Sequence, residues 1–326
     1  MDIHLGFEPD AARGRDIDRR MNLELAASLR YVLDEARTQL SFDQQALLQL
    51  VRSLESGQRV SPFAFSCYYD LVGAMMDANA PLAASLLNQL AQSHAAPAAR
   101  NFVRLADSGD CEITAAYLDK FVGSDEDIVV KAPSTAIATE FIERFERGMD
   151  LMHRVAPELA GEVDAIVHDV IPIVGDPSKS VQIDGGSHYQ LWGALFLNAD
   201  FHPTDEAMLE VIAHESAHSL LFGLCTDEPL VLNDDDERYA SPLRTDLRPM
   251  DGIFHATFVS ARMHWAMTQL LRSNELSDER KLGVNKARND DQRNFESGLA
   301  VVREHGRLTG LGSQIMAGAQ RYMAAV

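Results

Sequence analysis

Residues 204–224 read TDEAMLEVIAHESAHSLLFGL, and the predicted fold is built around this stretch. Thr204 followed by two acids is typical of a helix N-terminus, and Gly223 marks the predicted end. We therefore predict one helix over this stretch. His214 and His218 of its HExxH sequence then lie four residues apart, on one face of that helix.

The residue pattern directly before this helix differs from the pattern in other parts of the chain. Residues 171–198, IPIVGDPSKSVQIDGGSHYQLWGALFLN, combine Gly and Pro with short apolar runs, which predicts strands and turns. Residues 22–40, 43–55 and 252–273 instead carry apolar side chains every three or four positions, which predicts helices. The predicted fold is mostly α with a small β-sheet before the metal-binding helix, a zincin-like HExxH core embedded in a helical protein.

This residue pattern predicts two domains, and the sequence marks the boundary between them only weakly. Residues 1–125 form a helical N-terminal region, a candidate for substrate or leader recognition. Residues 126–326 form a catalytic domain that holds the HExxH helix. A single domain is the alternative.

Charge and composition exclude several classes of function. The 326 residues carry a formal net charge of −20, with a pI near 4.8, so the basic footprint that nucleic-acid binding needs is missing. The first 20 residues lack the apolar run of a signal peptide, and no apolar stretch is long enough to span a membrane. The three scattered cysteines are typical of reduced thiols. We expect a cytoplasmic protein without nucleic-acid or membrane partners.

The two histidines predict a metal site. The apolar neighbours of His214 and His218 predict that both rings are buried, and two buried histidines one turn apart beside Glu215 are hard to explain as packing alone. In a zinc metallopeptidase Glu215 is the general base, whereas a non-haem iron oxygenase keeps three positions open for a co-substrate and O2. The third interpretation is a non-catalytic helical binding protein in which the two histidines only pack against their neighbours.

A second constellation lies downstream, in residues 239–263, YASPLRTDLRPMDGIFHATFVSARM. Its two prolines bracket Arg244 and Arg248 in a segment that is predicted to be non-helical. A helix then begins near Asp251. His255 and Arg262 lie seven residues apart in it and share a face.

An arginine on a partly apolar face needs an anionic partner. For Arg262 that partner is either a carboxylate of the protein, such as Asp246 or Glu228, or a bound dicarboxylate held by the guanidinium group. A peptidase has no evident use for arginines crowded around its third ligand, whereas an oxygenase that binds α-ketoglutarate has one.

Residues 185–263 resemble the HExxH-motif, α-ketoglutarate-dependent peptide β-hydroxylases of bacterial peptide natural-product clusters. The resemblance rests on GGSHYQLWGALFLN, on HESAH and on SP-x-R-x-D-x-RP-x-x-G-x-x-H, which is more specific than HExxH itself. It implies Fe(II), α-ketoglutarate and O2, and hydroxylation of the β-carbon of a residue in a ribosomally synthesised precursor peptide. A partner protein that binds the leader of that peptide is compatible with it.

The resemblance implies His214 and His218 as iron ligands, and we assign His255 as the third. A histidine there departs from the usual carboxylate of the facial triad. Three acidic residues therefore stay open as alternatives for that position: Glu228, Asp246 and Asp251.

The remaining roles follow from the same resemblance. Arg262 is the first choice for the α-ketoglutarate carboxylate, followed by Arg248 and Arg244. Glu215 then orients a ligand or the water network instead of cleaving a peptide.

His188 and Trp192 lie in the strand-like run before the HExxH helix and are candidates for substrate binding. In zincin-like proteins an edge strand at this place pairs with an extended peptide. The competing interpretation is a turn histidine and a core tryptophan.

Overall fold

The computed structural model describes residues 3–93, 96, 99–105, 111–123, 129–176 and 183–326. Its helices are α1 (Ala11–Ala36), α2 (Gln44–Glu55), α3 (Pro62–Met76), α4 (Ala80–Ala91), α5 (Cys111–Val122), α6 (Thr135–Val155), α7 (Pro157–Ile166), α8 (Asp205–Leu224), α9 (Met250–Arg272), α10 (Asp278–His305) and α11 (Gly310–Ala324). Its strands are β1 (Asn101–Phe102), β2 (Val130–Lys131), β3 (Asp169–Gly175), β4 (Gly185–Gly186) and β5 (Ala194–Asn198). The predicted class, mostly α with a small sheet before the HExxH helix, is confirmed.

The chain folds into two compact units, each built from separated segments. The first comprises Arg15–Phe141 and Asp164–Phe201. The second comprises the N-terminal stretch that ends at Gly14, together with Ile142–Val163 and His202–Val326. The domain boundary predicted near residue 125 lies among residues 124–128, outside the described part of the chain.

The first unit contains the sheet, whose strand order is β1-β3-β5-β4. Strands β1, β3 and β5 run parallel, β4 pairs antiparallel with β5, and β2 pairs antiparallel with the end of β3. All five residues of β5 and the first five of β3 are buried. The apolar runs 170–173 and 194–197 within them are typical of parallel strands covered on both faces.

Side chains from the helices pack onto this sheet to form the core of the first unit. Tyr117 of α5 stacks edge-on against Phe196 of β5, with ring centroids 6.1 Å apart. Gly193 precedes β5 with a φ of 91°, and a Cβ there would lie 2.6 Å from the His168 ring. Glycine is therefore needed for the backbone conformation and for the close approach.

Helix α9 is the centre of the second unit and packs against α8, α10 and α11. Almost all its residues from Met250 to Leu270 are buried, including polar ones such as His255 and Arg262. A helix surrounded in this way must find a partner inside the protein for each polar side chain that it carries. Among the described residues, no helix combines the length and the apolar character needed to cross a membrane.

Candidate metal centre

Helix α8 presents the HExxH residues as the sequence predicts. The Thr204 side chain accepts a hydrogen bond from Ala207 N and caps the first turn, and the helix ends one residue beyond Gly223. Its flanks are buried, while His214 and His218 are half-buried. Part of each of these two residues is therefore accessible to solvent.

The two imidazoles are spaced as ligands of a single metal ion. Nε2 of His214 lies 3.2 Å from Nε2 of His218. With metal–nitrogen bonds of about 2.1 Å, two ligands are about 3.0 Å apart at a right angle and about 3.4 Å apart in a tetrahedron. The observed distance fits both arrangements, so it supports a metal site without selecting between iron and zinc.

Met263 of α9 orients the first of these histidines. Its Sδ lies 3.3 Å from Nδ1 of His214. A thioether sulfur accepts hydrogen bonds and does not donate them, so the contact favours the tautomer with the proton on Nδ1. In that tautomer the lone pair of Nε2 faces His218.

His255 of α9 contacts the opposite side of the second histidine. Its Nδ1 lies 2.9 Å from Nδ1 of His218, and the two rings stack with centroids 5.2 Å apart. The structure thus brings the predicted third ligand into the cluster, but next to the nitrogen of His218 that faces away from His214. In this arrangement His255 fixes the ring of His218, as hydrogen-bonded partners of metal-ligating histidines commonly do.

Burial keeps the three imidazoles neutral. It lowers the pKa of His214 to about 4, with a further contribution from the charge of His202. Burial also lowers the pKa of His218 well below its usual value, and the pKa of His255 in the same direction. Neutral imidazole is the form that binds metal, so the cluster is ready for a metal ion at neutral pH.

Glu215 completes the group of potential ligands. One ligand atom each from His214, Glu215 and His218 lie within 4.8 Å of one another. Glu215 is buried, and its Oε1 is 3.9 Å from Nε2 of His214. Two neutral imidazoles beside a carboxylate form a donor set that suits both iron(II) and zinc.

Arg262 is engaged elsewhere than the sequence predicts. Its guanidinium forms a buried ion pair with Glu162 of α7 and donates to the Phe7 carbonyl oxygen over 3.0 Å. Arg13 of α1 also binds the Glu162 carboxylate, with Nη2 2.6 Å from Oε1. The anionic partner of Arg262 is thus a carboxylate of the protein itself, and neither Asp246 nor Glu228. This arrangement does not support its assignment to α-ketoglutarate.

The other two arginines share one exposed carboxylate. Nε of Arg244 lies 3.1 Å from Asp246 Oδ1, and Nε of Arg248 lies 2.7 Å from Asp246 Oδ2. More than a third of each side chain is exposed. The Arg248 backbone pairs with Tyr239, which closes the segment that leads into α9.

The acidic alternatives for the third ligand lie in different surroundings. Asp246 binds the two arginines, and Glu228 is exposed. Asp251 Oδ2 lies 3.9 Å from Nε2 of His255, at the edge of the histidine cluster. Its contact is with His255 and not with the His214–His218 pair.

His188 lies in a turn and Trp192 lies in the core, as the alternative to a substrate-binding role predicts. The His188 side chain accepts a hydrogen bond from Gln190 N and caps a single 3-10 turn. Trp192 is 1% exposed, and its indole nitrogen donates to Asp18 over 3.0 Å. A side chain buried to this extent is not available to a peptide, so the substrate-binding role predicted for Trp192 lacks support.

The strand before α8 is also not the edge strand that was expected there. Strand β5 is flanked by β3 on one side and by β4 on the other. Pairing of a peptide along β5 would require displacement of one of these neighbours.

Several residues that shape this unit carry no signal in the sequence. Glu162 lies 100 residues before Arg262, and no local pattern identifies it as the partner. Met263 lies eight residues after His255 in α9, about two turns further along, and this spacing does not reveal its contact with His214. His202 has a φ of 56°, a conformation that non-glycine residues adopt rarely.

The chain matches no model of a known protein family, and a search of curated proteins finds no significant similarity.

Proposed function

We propose that this protein is a cytoplasmic Fe(II)- and α-ketoglutarate-dependent dioxygenase that hydroxylates the β-carbon of a residue in a ribosomally synthesised precursor peptide. The observation that carries the proposal is the pair of neutral imidazoles on α8, whose Nε2 atoms are 3.2 Å apart. The resemblance of residues 185–263 supports α-ketoglutarate and a peptide as substrates. A leader-binding partner protein is compatible with both.

In this proposal the residues of α8 and α9 hold and orient the metal. His214 and His218 bind it through Nε2, while Met263 and His255 fix the two rings from behind. Glu215, next to His214, orients a bound water or co-substrate. Bound iron with α-ketoglutarate and O2 supplies the oxidation of the peptide carbon.

The α-ketoglutarate carboxylate is then best assigned to Arg248 and Arg244. Both guanidinium groups are partly exposed, and their present partner is the exposed Asp246. Surface ion pairs of this kind are worth at most about 1 kcal/mol, so a dicarboxylate can replace Asp246 at little cost. Arg262 would instead have to leave its buried carboxylate, which is far more costly.

A zinc metallopeptidase is the second candidate, and one observation favours it. The carboxylate of Glu215 lies beside the histidine pair, which is where such an enzyme needs its general base. This candidate predicts that zinc remains bound through purification and that Glu215→Gln abolishes cleavage.

Addition of α-ketoglutarate to anaerobic, Fe(II)-loaded protein tests the choice. We expect a visible metal-to-ligand charge-transfer band that requires both iron and the co-substrate. Arg248→Gln should raise the α-ketoglutarate concentration needed for the band and leave the binding of iron unchanged.

Two controls make this measurement decisive. His214→Ala should lose the band, whereas His153→Ala, which removes an exposed histidine of α6, should keep it. Absence of the band from iron-loaded protein would contradict the dioxygenase proposal. Zinc in the purified protein together with peptide cleavage would replace it with the peptidase.

A further inference from the structure

The first unit contains a cavity of about 350 Å³ beside the early turns of α1. A cavity of this size can hold a small molecule or one peptide side chain. Its polar lining comes mainly from α1 and from the turn after α2: Arg15, Asp18, Arg19, Asn22, Gln58 and Arg59. Three guanidinium groups therefore lie around one carboxylate, in a chain whose formal net charge is −20.

The carboxylate of this cavity is held by donors other than the arginines. Asp18 Oδ1 lies 3.0 Å from His168 Nε2 and accepts a hydrogen bond of the same length from Trp192 Nε1. It also accepts a hydrogen bond from Asn22 Nδ2 over 3.3 Å. Asp18 is thus occupied by the core of the first unit.

The two amide oxygens of the cavity are engaged as well. Asn22 Oδ1 accepts a hydrogen bond from Val60 N over 3.2 Å. Gln58 Oε1 accepts one from the Ser53 hydroxyl, which leaves the NH2 group of Gln58 as a donor. The acceptors that line the cavity are therefore used within the protein.

The donors of the cavity are in the opposite situation. Arg15 and Arg19 are exposed, and within the described part of the chain neither has an ion pair or a hydrogen-bonded acceptor. The two residues are four positions apart in α1, so their charges lie on one face of the helix and repel each other. Arg59 adds a third positive charge from the turn after α2. An anion bound between these groups would relieve the repulsion.

This imbalance of donors and acceptors selects the class of ligand. Guanidinium groups bind carboxylates and phosphates through paired N–H···O hydrogen bonds. A metal ion is a poor fit, because arginine offers it no lone pair. A cationic ligand would meet an excess of positive charge.

We propose that this cavity binds the carboxylate or phosphate group of a small anionic ligand. Arg15 and Arg19 hold the anion, and Arg59 and the NH2 group of Gln58 are further donors. An acidic peptide side chain and a phosphorylated small molecule both carry this chemistry. The histidine pair belongs to the second unit, so this site can be tested without any metal.

Binding of two simple anions tests the proposal. Sodium phosphate and sodium succinate are titrated separately into the full chain by calorimetry, at about pH 8, where both are largely dianionic. Matched ionic strength keeps general screening constant. We expect saturation at one equivalent by at least one of the two anions, with a Kd below about 1 mM. Tighter binding of phosphate would identify a phosphorylated ligand, and tighter binding of succinate a carboxylate.

Three variants separate the site from the overall charge. Arg15→Gln and Arg19→Gln should each weaken the binding of the anion at least about ten-fold, because each removes a charged pair of donors. Arg52→Gln removes the same charge from an exposed position of α2 that does not line the cavity, and it should stay within about two-fold of the wild type. Melting temperatures show whether each variant is folded.

Three results would overturn the proposal. The first is the absence of saturable binding of both anions to the wild-type protein. The second is unchanged affinity in folded Arg15→Gln and Arg19→Gln. The third is an equal loss of affinity in Arg52→Gln, which would show that the anions respond to the overall charge of the protein and not to this cavity.

Discussion

Helix α9 carries two buried polar clusters, of which one is neutral and the other is charged and paired. Near its start, His255 joins two histidines of α8, and burial keeps all three neutral. Further along, Arg262 keeps its charge because Glu162 neutralises it inside the protein. The histidine cluster retains lone pairs for a ligand, whereas the arginine cluster is satisfied by the chain itself.

The comparison shows which buried polar groups are available for function. A charged group that has found an internal partner contributes to the fold, and its removal leaves that partner buried and unpaired. A neutral imidazole pair with converging Nε2 atoms has coordination capacity left.

Loss of the shared carboxylate should have the largest effect on stability. Glu162→Gln leaves the guanidinium groups of Arg13 and Arg262 buried without a counter-charge, so we expect the free energy of unfolding to fall by about 3–5 kcal/mol. Denaturant unfolding followed by circular dichroism measures the change. Glu55→Gln breaks an exposed ion pair with Arg30 and should cost less than about 1 kcal/mol. Similar losses for both variants would contradict the structural role of the arginine cluster.

A third polar residue of α9, His264, should make stability depend on pH. Its Nδ1 lies 2.9 Å from the Tyr322 hydroxyl, and burial lowers its pKa to about 4. Because this value lies below the unfolded value of about 6.5, the unfolded chain binds more protons between the two. His264 therefore lowers stability as pH falls through that window, by at most about 3 kcal/mol.

The variant His264→Gln isolates this contribution, since glutamine does not titrate and can still bond to Tyr322. Urea unfolding of both proteins at a series of pH values gives the difference. The wild type should lose more stability than the variant as pH falls from about 6.5 to about 4. Parallel curves would show that His264 does not stay neutral in the folded protein.

The position of His255 against the far side of His218 predicts a graded effect on metal affinity. His255→Ala should weaken the binding of a divalent metal by about 10–100-fold, as loss of a partner that orients a ligand commonly does. His214→Ala should abolish specific binding. If both variants lose the metal to the same extent, His255 is itself a ligand and the ring arrangement changes when metal binds.

The exposed ion pairs before α9 should matter least for stability. Asp246→Asn removes the shared partner of Arg244 and Arg248 and should cost less than about 1 kcal/mol. If these arginines bind α-ketoglutarate, the variant should bind the co-substrate at least as well as the wild type. Loss of metal from Asp246→Asn would instead identify Asp246 as the third ligand.

Local patterns predicted the elements of this protein well. The cap at Thr204 and the four-residue spacing of the histidines predicted α8. The Gly and Pro residues between short apolar and aromatic runs predicted the region of β3 and β5. The two-residue strands β1 and β2 were missed because their pairing depends on β3 and not on their own sequence.

The sequence could not identify partners that are far apart in the chain. Arg262 was expected to need an anion, which is correct, but its partner Glu162 lies 100 residues earlier in the chain and is brought to it only by the fold.

Titration of the apoprotein with Co²⁺ under anaerobic conditions tests whether the two histidines of α8 bind one metal ion together. The visible d–d bands report both stoichiometry and coordination. We predict saturation at one equivalent in the wild type and in His153→Ala, and loss of the specific bands in His214→Ala and His218→Ala. Unchanged spectra in the last two variants would contradict the account, because the metal would then be bound elsewhere.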